Sequence, residues 1–285
     1  MSELRKVEKI LQSKPTIEGA GVHLKRVFGY HQVPALDPFL LLDHFGSDNP
    51  ADYLKGFPWH PHRGIETVTY MIDGVVEHGD SIGNSGEIRS GDVQWMTAGS
   101  GIIHQEMPKR FEGLMMGFQL WVNLPAEHKM MDPRYRDVNS NTIPDVELNS
   151  GVKIKIISGE VKGIKGPVQD IVVDSEYFDV AMPPNTEFEH RIKKGYKACA
   201  YVFEGEGMFD SETTKKIKTE DLVIFGNGDE VHIKSADTNL RFLLIYGEPL
   251  GEPVAWYGPI VMNTKSELER AFHEVENGTF IKKSK

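Results

Sequence analysis

The chain of 285 residues carries 32 Lys and Arg against 42 Asp and Glu, a formal net charge of −10. That balance speaks against a protein built to grip phosphate backbones, which needs clustered cations, so no direct nucleic-acid binding is expected. Hydrophobic residues at 39% and charged residues at 26% fit a soluble globular protein, and the length fits two domains of roughly 100–200 residues each.

The opening run from Met1 to Lys14 is charged with no apolar stretch behind it, so no secretory leader is expected. No segment approaches the ~18 uncharged apolar residues of a membrane span. Cys199 is the single cysteine, which excludes an intramolecular disulfide and suits a reducing compartment. The expectation is a cytoplasmic protein, or a nuclear one in a eukaryote. The basic end, Lys282-Lys283-Ser284-Lys285, reads as a solvated tail, and Cys199, in the apolar run Ala198 to Phe203, as a buried structural thiol.

Taken in chain order, Glu66 to Ile72 is β-branched and aromatic and is followed by the turn signal Asp73-Gly74. Ser85-Gly86, Ser90-Gly91 and Ala98-Gly99 then punctuate the chain at intervals suited to short strands. Leu114, Met116, Phe118, Leu120 and Val122 alternate with smaller or more polar positions, the mark of a half-buried strand. From Leu124 to Gly151 the periodicity fades among Pro125, Pro133, Pro144 and several Asn and Asp, which places an interdomain connection there.

Strands resume at Val152–Ile157, Ala198–Glu204, Asp221–Phe225 and Arg241–Tyr246. Thr264-Lys-Ser-Glu267 is a capping box, after which Leu268, Ala271, Phe272 and Val275 recur at helical spacing until Asn277-Gly278. The reading is all-β: two strand-rich halves, residues 1–135 and 136–285, each a β-barrel or sandwich, the second ending in a helix that packs on a barrel wall.

His60 and His62 are two apart, so on an extended segment both point to one face. Glu66, Val68, Tyr70 and Ile72 share that parity if no bulge intervenes. His104 and Glu106 form a second same-face pair. Imidazoles with a carboxylate suit Fe, Mn, Co, Ni, Cu or Zn, and the cysteines of a structural zinc site are missing. His23, His31, His44, His78, His128, His190, His232 and His273 are scattered and read as surface or core residues, with His78 nearest the site.

These motifs resemble the cupin superfamily and, within it, the pirin family. Phe57 to Gly74 is similar to the first cupin motif, and Gly91 to Pro108 to the second in its pirin form, with Trp95-Met-Thr-Ala-Gly99 leading to His104 and Glu106. Similarity continues in Leu36-Asp-Pro-Phe-Leu40, Gln119 to Leu124, Lys129-Met130, Pro133 with Tyr135, Gly247-Glu-Pro249, Gly258-Pro259 and Met262-Asn-Thr264. The resemblance implies two tandem cupin (double-stranded β-helix, jelly-roll) barrels, with one divalent metal ion, iron as Fe(2+), in the N-terminal barrel.

Carried over by position, the implied ligands are His60, His62, His104 and Glu106, which leaves Glu66 as a supporting residue. The second half has no His-x-His pair, so its barrel is expected to bind no metal. The implied activity is that of quercetin 2,3-dioxygenase, an oxidoreductase cleaving a flavonol with O₂ and releasing carbon monoxide, with Glu106 as proton acceptor. Phe57, Trp59 and Met116 are candidates to line a pocket for the small aromatic substrate. The alternative from the same resemblance is a metal-dependent regulator with a protein partner, a transcription factor or a metabolic enzyme.

Overall fold

A computed structural model describes residues 2–212 and 215–282, so the last three residues of the basic end lie outside it. Among the described residues no helix is long and apolar enough to cross a membrane. The chain forms two compact units, neither of them a continuous stretch. One gathers Lys14–His31, Phe39–Ser140 and the chain from Leu250 onward; the other gathers the chain up to Ser13, Gln32–Pro38 and Asn141–Pro249. The mid-chain passage at Ser140/Asn141 falls inside the Pro- and Asn-rich segment. Compared with a single cut at 135/136, the first strand and the last helix change units.

The unit that begins at Lys14 is a barrel of two antiparallel sheets. Its seven-stranded sheet runs in the order Arg134–Val138, Val93–Thr97, Ile65–Asp73, Met115–Asn123, Phe39–Ser47, Val22–Phe28 and Lys14–Glu18. Its four-stranded sheet runs Phe57–His62, Ile102–Pro108, Val75–Asp80 and Ser85–Arg89. Met71 and Met115 from the larger sheet pack with Val76 and Ile88 from the smaller one, so apolar burial holds the two together.

The chain passes from one sheet to the other at Arg63-Gly64. Gly64 has φ +78, and a β-carbon there would lie 1.9 Å from the Val261 carbonyl oxygen, so only glycine fits the crossing.

The other unit repeats this order. Val7–Gln12, Asp221–Phe225, Lys197–Glu204, Leu240–Gly247, Ser175–Met182, Lys153–Ser158 and Asp145–Glu147 make seven strands; Glu187–Arg191, Glu230–Ser235, Glu206–Met208 and Ile217–Lys218 make four. The chain's first strand, Val7–Gln12, thus takes the edge that Arg134–Val138 takes in the first barrel. Ile154, Phe178 and Phe242 of the larger sheet meet Phe188, Val231 and Ile233 of the smaller one in an apolar core. Cys199 is buried, and burial pushes its thiol up to about 12, as suits a structural residue.

The helix Lys265–Glu276 begins at the capping box. The Glu267 amide donates to Thr264 Oγ1 (3.2 Å), and the Thr264 amide donates to Glu267 Oε2 (2.9 Å). Its apolar face packs Ala271 with Ile260, Met262 and Phe280, against Ile103 of the His104 strand. The helix therefore lies on a wall of the first barrel.

Candidate metal centre

The strands Phe57–His62 and Ile102–Pro108 pair with His104 opposite His60 and Ile102 opposite His62. Residues facing each other across an antiparallel pair share a face, so three imidazoles meet there. Their ring centroids are 4.8 Å (His60–His62), 4.4 Å (His60–His104) and 5.0 Å (His62–His104) apart. One ring nitrogen from each lies within 4.8 Å of the others.

Backbone carbonyls fix two of the tautomers. His60 Nδ1 lies 2.9 Å from Pro58 O and His62 Nδ1 lies 3.1 Å from Pro259 O, so each Nδ1 carries the proton it donates. Both Nε2 atoms are then bare, and they face each other at 3.0 Å. His104 is buried with neither ring nitrogen partnered by protein. Three convergent lone pairs without a donor are destabilising unless a cation lies among them, and this donor set fits a transition-metal ion. A carbonyl behind each of two imidazoles is the usual support of a metal-ligating histidine.

Burial favours the neutral rings that a metal requires. His62 and His104 are held well below the ordinary imidazole range, by desolvation first and by neighbouring imidazoles second. His60 is lowered by desolvation, against the Pro58 carbonyl.

Glu106 lies two residues beyond His104 and is buried, but its carboxylate is not part of the convergent trio. A register shift between His104 and Glu106 sets Glu106 opposite Phe57. Thr69 Oγ1 donates to Glu106 Oε1 at 2.9 Å and lies 2.7 Å from Gln119 Oε1. Desolvation raises the Glu106 carboxyl above its ordinary range and the Thr69 hydrogen bond opposes that rise.

Glu66 faces the other way. It accepts from Trp95 Nε1 at 3.0 Å and Thr97 Oγ1 at 2.6 Å, and strand alternation puts it on the face opposite Thr69. The shared parity expected for Glu66, Val68, Tyr70 and Ile72 fails because the chain changes sheets at Arg63-Gly64. Met116 lies off the site for a related reason. The inward positions of its strand are Met115, Gln119 and Trp121, while Phe118, Leu120 and Val122 are buried on the opposite face.

Beside His60 and His62 opens a groove of about 450 Å³, walled by Phe57, Trp121, Trp256 and Tyr257 with Glu18, Arg26 and Asp43 along one flank. Trp121 meets His62 edge-on at 5.1 Å and Trp256 at 5.9 Å. Of the three residues expected to line a pocket, Phe57 does so; Trp59 is half exposed outside the groove. His78 lies directly opposite Glu106 on the next strand, buried against Tyr135, and is lowered by desolvation.

The wall around His62 is pinned by two buried basic residues. Lys129 Nζ donates to Gly64 O (2.9 Å), Asn123 Oδ1 (2.7 Å) and Val261 O (3.1 Å). Arg63 donates to Ser100 O (2.7 Å) and Phe280 O (2.9 Å) and pairs with Glu274 (2.7 Å). The sequence held one hint of the Glu106 partners: Thr69 and Gln119 are polar positions inside otherwise apolar strands. Pro259 lay in the Gly258-Pro259 stretch of family resemblance, which did not tie it to His62, and Trp256 left no such signal.

Two barrels of one topology, the first with three imidazoles converging on its inner face, define a two-domain cupin protein. Comparison with known proteins narrows the class. The Pirin family model matches residues 21–122, and the Pirin C-terminal cupin domain matches residues 177–281. The chain belongs to the pirin family. It is 45% identical to a pirin-like protein of Caulobacter vibrioides, over 97% of this chain and 99% of that one. It is 43% identical to Pirin-1 of Arabidopsis thaliana, over 95% and 92%. A crystal structure of quercetin 2,3-dioxygenase from Acinetobacter baumannii superposes with a TM-score of 0.90 at 33% identity, covering 97% of this chain and 98% of that one.

Proposed function

We propose that the protein is a mononuclear iron enzyme that cleaves a flavonol with O₂, with His60, His62, His104 and Glu106 as the ligand set. The observation that carries this reading is the pair of bare imidazole nitrogens 3.0 Å apart, next to a third imidazole with no protein partner. The similarity to a solved quercetin 2,3-dioxygenase along nearly the whole chain supports the choice of substrate.

Bound iron supplies Lewis acidity toward the oxygens of the flavonol. The chain's own residues do the rest. Pro58 and Pro259 hold two imidazoles with their donor atoms turned inward. Glu106, buried beside the imidazoles and held by Thr69, is placed to take the 3-hydroxyl proton and return it. Thr69 holds Oε1 of that carboxylate, leaving Oε2 for the proton. The groove of Phe57, Trp121, Trp256 and Tyr257 offers flat apolar walls to the flavonol rings.

The test is anaerobic reconstitution with Fe(II), then mixing with quercetin and O₂. The expected result is bleaching of the flavonol absorbance with carbon monoxide released in equal amount. Tight binding of one metal per chain without turnover, for each of several divalent metals, would sink the enzymatic reading in favour of the regulatory one.

A further inference from the structure

Beside Glu106 the first barrel holds a second, partly open space of about 40 Å³. A water molecule needs about 10–15 Å³ of such volume, so the space of about 40 Å³ has room for a body of about three or four water-sized spheres. Val22, Leu24, Phe45, Val76 and Met115 form most of its wall. Four polar residues also border it, and their known bonds point elsewhere or to one another. Both Asp43 oxygens are taken by Arg26, at 2.8 Å each. Thr69 is engaged with Glu106 and Gln119.

Glu106 Oε2 is the carboxylate oxygen left at its border; the rest of the wall is mainly apolar, and apolar spaces of this kind accept small uncharged guests. The cavity and the groove share Phe57 and Asp43, so the space adjoins both the imidazole side and the Glu106 side of the candidate centre.

We propose that this cavity is a binding site for a small apolar gas and that it holds dioxygen for the reaction at the neighbouring centre. The inference rests on the dioxygenase reading for its choice of gas, while the site itself rests on the cavity. A charged or polyhydroxylated molecule is too large and too polar for it. Dioxygen matches it in length and in its lack of hydrogen-bonding need. Its position lets dioxygen stay beside Glu106 while a flat substrate fills the groove.

Xenon, a probe of dry apolar cavities, separates the two claims. Crystals of the metal-free protein under xenon pressure should show one xenon atom among Val22, Leu24, Val76 and Met115. Val22→Leu and Val76→Leu, each adding one methylene to the wall, should each displace it. With the iron-loaded protein the same two variants should raise KM for O₂ at least threefold, with flavonol KM and iron content within twofold of the parent. Ordered water in the cavity with no xenon would overturn the proposal. So would an unchanged KM for O₂ in variants that have lost xenon. Xenon bound in a protein that turns over no flavonol would count against the dioxygenase reading and leave the gas site standing.

Discussion

His62 Nδ1 lies 3.1 Å from the carbonyl oxygen of Pro259, a residue 197 positions further along the chain. Two residues beyond each of them, Lys129 Nζ ties Gly64 O to Val261 O. The orientation of one imidazole at the candidate centre therefore depends on a segment from the last tenth of the sequence. Predictions follow from that arrangement and from its neighbours.

Lys129→Met should cost roughly 3–5 kcal/mol, because it removes one donor group and leaves three buried acceptors unpaired. It should also weaken metal binding about 10–100-fold by freeing the Pro259 carbonyl from its place behind His62. Thermal unfolding measures the first effect and a competitive metal titration the second. Loss of stability with unchanged metal affinity would mean that the Pro259 contact does not position His62.

His62→Ala and His104→Ala should each lower metal affinity by at least the ~100-fold typical of losing a ligand's supporting partner. Metal analysis after anaerobic loading and desalting provides the check. One metal per chain in either variant would show the ligand assignment to be wrong.

Thr69→Val keeps the side-chain volume and deletes the donor to Glu106 Oε1. A buried carboxylate without its donor is misplaced at a cost of about 1–3 kcal/mol, so kcat should fall roughly 5- to 150-fold, and metal affinity should weaken as well because Glu106 is a proposed ligand. Thr69→Ser, which restores the hydroxyl, should recover most of it.

Acid should destabilise the metal-free protein through its buried imidazoles. Burial pushes His44 and His190 down to about 4 from 6.5. Between those values the unfolded chain binds protons that the folded chain refuses. Stability should therefore be full above pH 6.5 and fall toward pH 4, by up to about 1.4 kcal/mol per pH unit for each group. His60, His62 and His104 are shifted in the same direction and add to the slope. Urea unfolding at pH 7.5 and pH 5 reads the difference, and His44→Gln should reduce it.

Local patterns in the sequence carried much of this structure. The capping box at Thr264, the turn at Asp73-Gly74 and the Ile65–Asp73 strand all rest on short-range chemistry, and each lies where that chemistry puts it. Pairing His60 with His62 by strand parity also worked, because both sit on one uninterrupted strand.

Parity failed across Arg63-Gly64, where the chain leaves one sheet for the other and the face reverses. It misled again at Met116, because that strand is buried on both faces and alternation cannot say which one looks inward. The groove's far wall was out of reach for another reason. Trp256 and Pro259 meet Trp121 and His62 only through tertiary packing, and the family resemblance of Gly258-Pro259 does not say what the residue touches.

The exchange of terminal elements bears on how the molecule is made. A ribosome releases the three histidines early, yet His62 has no acceptor for its Nδ1 proton until Pro259 has emerged. The second barrel, by contrast, has its edge strand Val7–Gln12 waiting from the start. The half synthesised last can close first, while the contact that orients His62 waits for the segment around Pro259. A fragment ending near residue 140 would contain every proposed ligand and still lack the carbonyl that aims one of them.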